Sequence, residues 1–249
     1  MGAGGWGITG KLMRLPIGLS VVLLAYQEAQ NLRVLLPAIK GAVAKIPEET
    51  EIIVIDSKQT LDDTENVCKE FDVRYIPQEH DGYAGAFKTG VTYARMNKFL
   101  MLDADGSHNP ITIPTLYEKF MTEKHDIVIG SRYVKGGKTH DSFSSVLMSR
   151  LLNWVMRLVL GVNAHDISTS FRIYDAEQLK NVKLTRRHFD VLQEVVLRMK
   201  LNNPSFSVGE VPIDFGKRLN GMSTRRLFLY IINYLQTAFV LSIMRFRHK

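Results

Sequence analysis

The chain has 249 residues, enough for one large α/β domain or two small ones, and 45% of them are hydrophobic, as in a protein with a sizeable core. Its single cysteine, Cys68, excludes an intramolecular disulfide and fits a reducing compartment. The net charge of +7 favours anionic partners such as phosphorylated substrates or a membrane surface. We expect no nucleic-acid partner, because zinc-ligand spacing and a basic surface interleaved with aromatic residues are both missing from the sequence.

Residues 1–17 lack the apolar core of a signal peptide and are predicted to be a flexible leader. From Gly18 to Arg132, strand patterns alternate with helical ones. Helices are predicted from about Glu28, around Cys68 as a buried structural thiol, over residues 82–95 and from Pro110. The predicted strands are GLSVVLLAY, EIIVID, VRYIP, KFLMLD and HDIVIGSR. Because these strands are apolar and separated by helices, we expect an α/β fold with a mostly parallel sheet covered on both faces.

The second half of the chain carries a different set of elements. A long helix is predicted over residues 144–160, stopped by Gly161, and a second helix over residues 188–200. SFRIYD reads as a short strand, and SFSVGEVPIDF as an extended segment. The polar, glycine-rich stretch YVKGGKTHDS is expected to be a mobile loop. Because the sequence contains no linker that would separate two domains, residues 18–222 are predicted to form one domain, followed by a C-terminal helix in residues 223–249.

Charged side chains follow three of the predicted strands. Asp56 ends EIIVID, Asp103 and Asp105 end KFLMLD, and Arg132 ends HDIVIGSR. Ligands of open parallel sheets bind beyond the carboxyl ends of the strands, so these residues are expected at one edge. Residues two apart in an extended chain face the same side, and paired carboxylates suit Mg²⁺ or Mn²⁺. Such a metal would neutralise charge on a departing diphosphate. The alternative is that Asp105 merely caps a bend in DGSHNP.

Seven segments occur in an order that resembles glycosyltransferase family 2, specifically its dolichol-phosphate mannose synthase group. They are VVLLAYQEAQNL, EIIVID, GYAGAFKTG, LDADGSHNP, IVIGSRY, DISTSFRIYD and VPIDFGKRLNGMS, and they extend over about residues 20–223. The resemblance implies a GT-A, Rossmann-like fold. It also implies transfer of a sugar, with inversion, from a nucleoside diphosphate sugar donor to a polyprenyl or dolichyl phosphate acceptor, with Mg²⁺ or Mn²⁺ as cofactor.

The resemblance also assigns roles to residues by position. The positions that match the family's nucleotide-binding strand tips are Ala25, Tyr26, Glu28 and Asp56. Asp103 and Asp105 match its metal and diphosphate site. The positions that match the segment near the sugar are Asp166, Ser170 and Arg172.

Arg132 and Arg218 match arginines that hold the acceptor or donor phosphates. The chemistry agrees, because a guanidinium binds phosphate oxygens in pairs and does not lose its proton. A phosphate acceptor is already ionised near neutral pH, so its attack needs positioning and charge neutralisation rather than a strong base. His108 could orient a ligand oxygen, but a structural histidine is the favoured interpretation.

The chain departs from the family pattern at three places. Ser57 and Lys58 stand where a second acid and a small residue are usual, which leaves base or ribose recognition open. Ala84 replaces a common glycine, with Gly85 displaced by one residue. Thr224 takes the place of a lysine in the final motif, and Arg225 is the candidate replacement for its charge.

The C-terminal segment is the most apolar in the chain. At helical spacing a polar side falls at Arg226, Tyr230, Asn233 and Thr237, which favours an amphipathic helix in a membrane interface. Its basic end, with Arg245, Arg247 and Lys249, would meet anionic lipid. This predicts a peripheral or monotopic protein on the cytoplasmic face of a membrane. Packing on the protein or in an oligomer, and a true span over residues 227–244, are the alternatives.

Three functional interpretations stay open. The leading one is an inverting, metal-dependent transferase using GDP-mannose, with UDP-glucose or UDP-N-acetylglucosamine as other donors. The second is a transferase that acts on a saccharide hydroxyl, for which Asp166 is the candidate base. The third is a catalytically degenerate, membrane-associated scaffold.

Overall fold

The computed structural model describes residues 14–220 and 227–247 of the chain. The strands are β1 (Gly18–Leu24), β2 (Glu49–Asp56), β3 (Arg74–Pro77), β4 (Lys98–Asp103), β5 (Ile127–Ser131), β6 (Lys138–Thr139), β7 (Arg172–Asp175), β8 (Val208–Pro212) and β9 (Asp214–Phe215). The helices are α1 (Ala29–Val43), α2 (Thr64–Glu70), α3 (Tyr83–Tyr93), α4 (Ile113–Glu123), α5 (Phe143–Leu160), α6 (Ala176–Lys180), α7 (Val191–Asn202) and α8 (Leu227–Arg247). A short 3-10 turn, Pro110–Thr112, precedes α4. Most of the leader, the boundary at residue 222, Thr224, Arg225, Arg226 and Lys249 lie outside the described residues.

Seven strands form one sheet in the order β3-β2-β1-β4-β7-β5-β8. Strand β1 pairs in parallel with β2 and β4, β2 with β3, and β5 with β8. Strand β7 is antiparallel to both of its neighbours, β4 and β5. The expected mostly parallel sheet is therefore confirmed. Because β7 reverses direction between them, β4 and β5 run the same way, and Asp103 and Arg132 lie at one edge with Asp56.

The core lies on both faces of this sheet because the strands alternate their side chains. Val22 and Ile53 pack on one face beneath α3, α5 and α7, while Val21 and Val54 pack on the other beneath α1, α2 and α4. Cys68 of α2 is fully buried in the second layer, and burial raises the pKa of its thiol to about 12. The thiol is thus a core group with little thiolate character, as the sequence predicted.

The polar stretch 133–142 is more structured than expected. Strand β6 pairs with β9, the backbone N–H of Lys138 donates to the carbonyl of Ile213 (2.8 Å), and that of His140 donates to Phe215 (3.1 Å). Two glycines allow this return: Gly136 has φ of +92°, and a Cβ at Gly137 would lie 2.6 Å from the Ser131 carbonyl oxygen. The stretch predicted as a mobile loop therefore contains a short strand, and its mobility stays a prediction.

Helix α8 packs against α5 and α7, with Tyr234, Thr237, Ala238 and Leu241 buried. Nη1 of Arg245 donates to two carbonyls in the last turn of α5, at 2.9 and 3.0 Å, and so caps that helix. On the predicted polar side Asn233 is exposed and Thr237 is buried, and an apolar face of the helix is exposed as well. The residues exposed on that face are Leu235, Phe239, Ile243 and Phe246.

Helix α5 also presents apolar side chains to solvent. Of the helices in the described residues, α5 is the one whose length and composition would allow it to cross a bilayer. Only 22% of this helix is buried. Its exposed stripe recurs every three or four residues, at Phe143, Leu147, Leu151, Trp154 and Leu158. We refer to this stripe, together with the exposed apolar residues of α8, as the α5–α8 apolar face.

The core and the apolar face should respond differently to the same substitution. Phe87 is fully buried, with its ring edge-on to Phe99 at a centroid distance of 5.9 Å, whereas Phe143 is 84% exposed. We expect Phe87→Ala to lower the free energy of unfolding by about 3–5 kcal/mol through loss of burial and a residual cavity. Phe143→Ala should change it by less than about 0.5 kcal/mol. Urea unfolding of both variants checks this, and equal effects would contradict the described packing.

Candidate active site

Three cavities meet at the carboxyl edge of the sheet. The strand-tip cavity, about 720 Å³, lies beyond β1, β2 and β4 and is lined by Ala25, Tyr26, Glu28, Asp103, Asp105 and Arg218. The arginine cleft, about 310 Å³, is lined by Asp103, His108, Arg132, Ser168 and Ser170. The helix groove, about 470 Å³, lies between α8 and the segment leading into α7. Asp103 lines both the strand-tip cavity and the arginine cleft, so a ligand bound at Asp103 would reach both cavities.

Asp105 is held rigidly at the tip of β4. Its Oδ1 accepts hydrogen bonds from the backbone N–H (2.9 Å) and hydroxyl (2.6 Å) of Ser107, while Oδ2 forms an ion pair with Nε of Arg218 (3.0 Å). Its backbone carbonyl accepts from the N–H of Leu219 (3.0 Å). Gly106 makes this turn possible, because its φ is +81° and a Cβ would lie 2.4 Å from the Leu219 side chain. The predicted local cap is therefore present, and it leaves Asp105 in the cavity wall.

Glu28 adds a third carboxylate to this end of the sheet. Burial raises the pKa of Glu28 above its usual range, the nearby charges of Asp105 and Asp103 raise it further, and Asn31 and Arg218 oppose them. Arg218 lies 3.9 Å from Glu28 and contacts Asp105 at 3.0 Å. Glu28 and Asp105 thus share one guanidinium, with Asp103 close by, and a divalent cation would relieve the repulsion among the three acids.

Asp103 has the surroundings expected of a metal ligand. It lines both cavities, and among residues 14–220 and 227–247 its carboxylate has no hydrogen-bond or ion-pair partner. Within the same ranges no group of three His, Cys, Asp or Glu converges as a complete metal site. Asp103 and Asp105 would therefore hold Mg²⁺ or Mn²⁺ with water and ligand phosphate supplying the other positions, which is the usual way proteins bind Mg²⁺.

Arg132 is fixed by a buried ion pair with Asp166. Its Nε and Nη2 donate to the two carboxylate oxygens at 2.7 and 2.8 Å, its backbone N–H donates at 3.0 Å, and Nη2 also donates to Ser168 (2.8 Å). Burial alone would raise the pKa of Asp166, but the Arg132 guanidinium lowers it below its ordinary range. Nη1, 3.7 Å from Asp141, is the edge of Arg132 with the loosest contact. The pair thus presents a preorganised cation to the arginine cleft.

The other residues assigned near the sugar have different surroundings. Ser170 lines the arginine cleft, and within the described chain its buried hydroxyl has no hydrogen-bond partner. Arg172 is fully buried and donates to the carbonyls of Thr169 (2.6 Å), Ile167 and Leu192 (3.3 Å). It therefore braces the cleft from behind and does not line it. The sequence pattern missed this because orientation within β7 depends on its antiparallel pairing.

His108 sits in the cleft wall as a structural residue, as favoured from the sequence. It is 1% exposed, its Nε2 lies 3.3 Å from the Thr169 hydroxyl, and its ring packs on Phe171 and Phe215. Burial lowers the pKa of His108, so the ring is neutral near pH 7.

Asp56 lies behind the strand-tip cavity. It is 1% exposed, and its oxygens accept from the Ser57 N–H (2.7 Å) and the Tyr75 hydroxyl (3.2 Å), while burial raises the pKa of its carboxyl. The side chains lining this end are Ser57, Lys58, Gln59 and Gln78. Sequence reasoning treated Ser57 and Lys58 as departures and missed Gln59 and Gln78. Gln59 and Gln78 follow the parallel strands β2 and β3, and this position in the sequence could have identified them as site residues.

Comparison with known sequences shows the family to which the chain belongs. The model of the family described as Glycosyl transferase family 2 matches residues 20–182. A dolichol-phosphate mannosyltransferase of Pyrococcus furiosus is 31% identical over 209 residues, which is 82% of this chain and 58% of that protein. A polyprenol monophosphomannose synthase of Mycolicibacterium smegmatis is 30% identical over 215 residues, 82% of this chain and 79% of that protein. The chain belongs to glycosyl transferase family 2, which confirms the resemblance, and it spans less than two thirds of the Pyrococcus relative.

Solved structures share the fold at low sequence identity. Glucosyl-3-phosphoglycerate synthase from Mycobacterium tuberculosis, in complex with Mn²⁺, UDP and glucosyl-3-phosphoglycerate, matches with a TM-score of 0.69 and 18% identity over 92% of this chain and 80% of that one. The same enzyme with Mg²⁺ and UDP gives a TM-score of 0.68 and 18% identity, covering 89% and 79%. The expected GT-A fold is thereby confirmed.

The Arg132–Asp166 pair gives a pH-dependent prediction. A lowered carboxyl pKa stabilises the folded state above about pH 4, and this stabilisation is lost as pH falls through the folded pKa. We expect Asp166→Asn to lower the free energy of unfolding by about 3–5 kcal/mol at neutral pH, because Arg132 would be left buried without its partner.

The difference from the native chain should narrow below about pH 4, and urea unfolding across pH measures it. Asp141→Asn is the matched control: Asp141 is 41% exposed and 3.7 Å from the same guanidinium, and its loss should cost less than about 1 kcal/mol. Equal losses for the two variants would show that Asp166 is not the main partner.

Proposed function

We propose that the chain is an inverting, metal-dependent glycosyltransferase that moves a hexose, with mannose from GDP-mannose as the best assignment, to a polyprenyl or dolichyl phosphate. The observation that carries the proposal is the position of Asp103, between a cavity rich in carboxylates and a cleft built around an arginine. The relatives named as mannosyl transferases support the sugar and the lipid phosphate.

The strand-tip cavity suits the donor. Lys58, Gln59 and Gln78 offer hydrogen-bonding groups for a nucleoside at one end, and Asp103, Asp105 and Arg218 surround the other end, where a diphosphate would lie. A divalent ion bound there would neutralise charge on the departing diphosphate. Arg218 is exposed enough to reach a phosphate oxygen while keeping its Nε contact to Asp105.

The arginine cleft suits an anionic acceptor. Nη1 of Arg132 and the hydroxyl of Ser170 can donate to phosphate oxygens, and an ionised phosphate gives up no proton when it attacks. An acceptor oxygen forms a bond to the anomeric carbon, the bond to the diphosphate oxygen breaks on the opposite side, and the nucleoside diphosphate leaves. The protein's work is to position two anions and offset their charge.

A saccharide hydroxyl is a weaker candidate acceptor. Its attack would need a general base, and Asp166 was the residue considered for that role. Asp166 is fully buried, both of its oxygens accept from Arg132, and its pKa is lowered. These properties favour a positioning role for Asp166 over proton abstraction.

The lipid part of the acceptor has a route toward the membrane. Ser168 and Phe189 line both the arginine cleft and the helix groove, and the groove continues along Tyr234, Phe239 and Val240 of α8. Phe239 also belongs to the α5–α8 apolar face, so the groove opens next to that face. We propose that this face rests on the cytoplasmic surface of a membrane, with Arg245 and Arg247 near anionic headgroups.

Donor binding tests the proposal directly. We expect calorimetry with Mn²⁺ to detect binding of GDP-mannose in preference to UDP-glucose and UDP-N-acetylglucosamine. Asp103→Asn should weaken metal-dependent binding by roughly 100-fold or more, because it removes a ligand charge. Since Asp103 has no partner among the described residues, this variant should fold as the native chain does.

Asp72→Asn is a suitable control, because Asp72 is exposed, lines neither the strand-tip cavity nor the arginine cleft, and has a φ of +49° that asparagine tolerates. No binding of any donor with metal present would refute the proposed activity and favour the degenerate scaffold.

Vesicle binding tests the membrane proposal. We expect the chain to sediment with vesicles, more so when they contain anionic lipid. Leu147→Glu and Leu151→Glu should reduce binding several-fold, because each puts a charge on the α5–α8 apolar face. Val34→Glu is the matched control, since Val34 is 58% exposed on α1, away from that face. Equal losses in all three variants would argue against docking through α5.

A further inference from the structure

Phe189 occupies the junction of the three cavities. Within the described residues it is the side chain that lines the strand-tip cavity, the arginine cleft and the helix groove together. It is 41% exposed, which is unusual for a phenylalanine beside a polar site. None of the roles assigned above uses it.

The chain holds this ring from two sides. Its face stacks on Tyr83, the first residue of α3, at a centroid distance of 3.9 Å and an interplanar angle of 26°. The segment that carries Phe189 is anchored by buried Glu194, which accepts from the backbone N–H groups of Thr185 (2.8 Å) and Arg186 (2.8 Å). Burial alone would raise the pKa of Glu194, but these donors and Arg198 lower it, so the anchor is ionised.

We propose that Phe189 is the wall that separates the donor sugar from water held in the acceptor path, and so decides whether the sugar is transferred or hydrolysed. The inference rests on the proposed function and deepens it. Both reactions break the bond between the anomeric carbon and the diphosphate oxygen and release the nucleoside diphosphate. In transfer an acceptor phosphate oxygen bonds to that carbon. In hydrolysis a water oxygen does so, and its proton passes to solvent.

The physical reason is that the ring places an apolar surface among polar side chains of the arginine cleft. Ser170 lines the arginine cleft with it, and its hydroxyl, which has no hydrogen-bond partner within the described residues, is able to hold ordered water. A phenyl ring offers no hydrogen bond to such water, and together with a bound lipid chain it closes the junction. Removing the ring would leave a space with polar partners on one side, next to Asp103 and the sugar.

The experiment counts two products from one donor. With saturating acceptor and Mn²⁺, free hexose and lipid-linked hexose are measured for the native chain, Phe189→Ala, Phe189→Leu and Phe239→Ala. Phe239 lines the helix groove without lining the strand-tip cavity. It is therefore matched for loss of lipid contact alone.

We expect Phe189→Ala to raise the ratio of free to transferred hexose by about tenfold, a barrier difference within reach of one side chain. Phe189→Leu, which keeps an apolar side chain, should give an intermediate ratio. Phe239→Ala should lower the rate of transfer at limiting acceptor and leave the ratio at saturation near the native value. Unchanged nucleoside diphosphate binding by Phe189→Ala would show that the strand-tip cavity is intact.

The inference is overturned if Phe189→Ala and Phe189→Leu both keep the native ratio while transferring sugar, or if Phe239→Ala raises the ratio as much as Phe189→Ala does. If the native chain cleaves no donor at all, the proposed function itself fails. That outcome differs from the first two, in which transfer by the native chain is observed.

Discussion

The repulsion among Glu28, Asp103 and Asp105 is the constraint on which the arrangement of the site depends. Strands β1 and β4 are adjacent and in register at Leu24 and Asp103, so the loops that follow them must lie side by side. Their carboxylates therefore share one partly buried corner, where Arg218 forms ion pairs with Glu28 and Asp105. Burial is the main cause of the raised pKa of Glu28, and repulsion from Asp105 and Asp103 raises it further. A ligand that arrives with a divalent ion relieves this repulsion, which would couple metal binding to donor binding.

In the arginine cleft, by contrast, the buried cation is paired with a buried carboxylate. Arg132 and Asp166 neutralise each other through two short hydrogen bonds, and the pair is almost completely removed from water. Such a pair contributes little net stability over an apolar alternative, because both ions lose their hydration. What it provides is a guanidinium with one orientation and one accessible edge. Under the proposed function, the carboxylates of one corner would bind a metal and the oriented guanidinium edge of the other would bind an anion.

The sequence predicted the parts of the site that follow from strand period and direction. Asp56, Asp103 and Arg132 fall at the carboxyl edge because each ends an apolar run in a mostly parallel sheet. The burial of Arg172 and Asp166 could not be read in this way, since it depends on β7 entering antiparallel between β4 and β5.

The surfaces of α5 and α8 lay beyond sequence reasoning for a related reason. A helical period shows which residues share a face, as at Asn233 and Thr237, but not which face meets the protein. Packing against α5 and α7 buried Thr237 and left Phe239 and Phe246 exposed. Phe189 was missed because the helix predicted over residues 188–200 included it, whereas α7 begins at Val191. Its position is set by Glu194 and by the stack on Tyr83.

An acceptor that needs no general base changes what the protein must control. An ionised phosphate attacks without a general base, and water can reach the anomeric carbon by the same route. Selectivity must then come from which molecule is allowed near Asp103, by binding the anion at Arg132 and by filling the remaining space with apolar surface. The junction of the three cavities is where that space lies, and an aromatic ring fixed between α3 and the Glu194 anchor is the side chain placed to fill it.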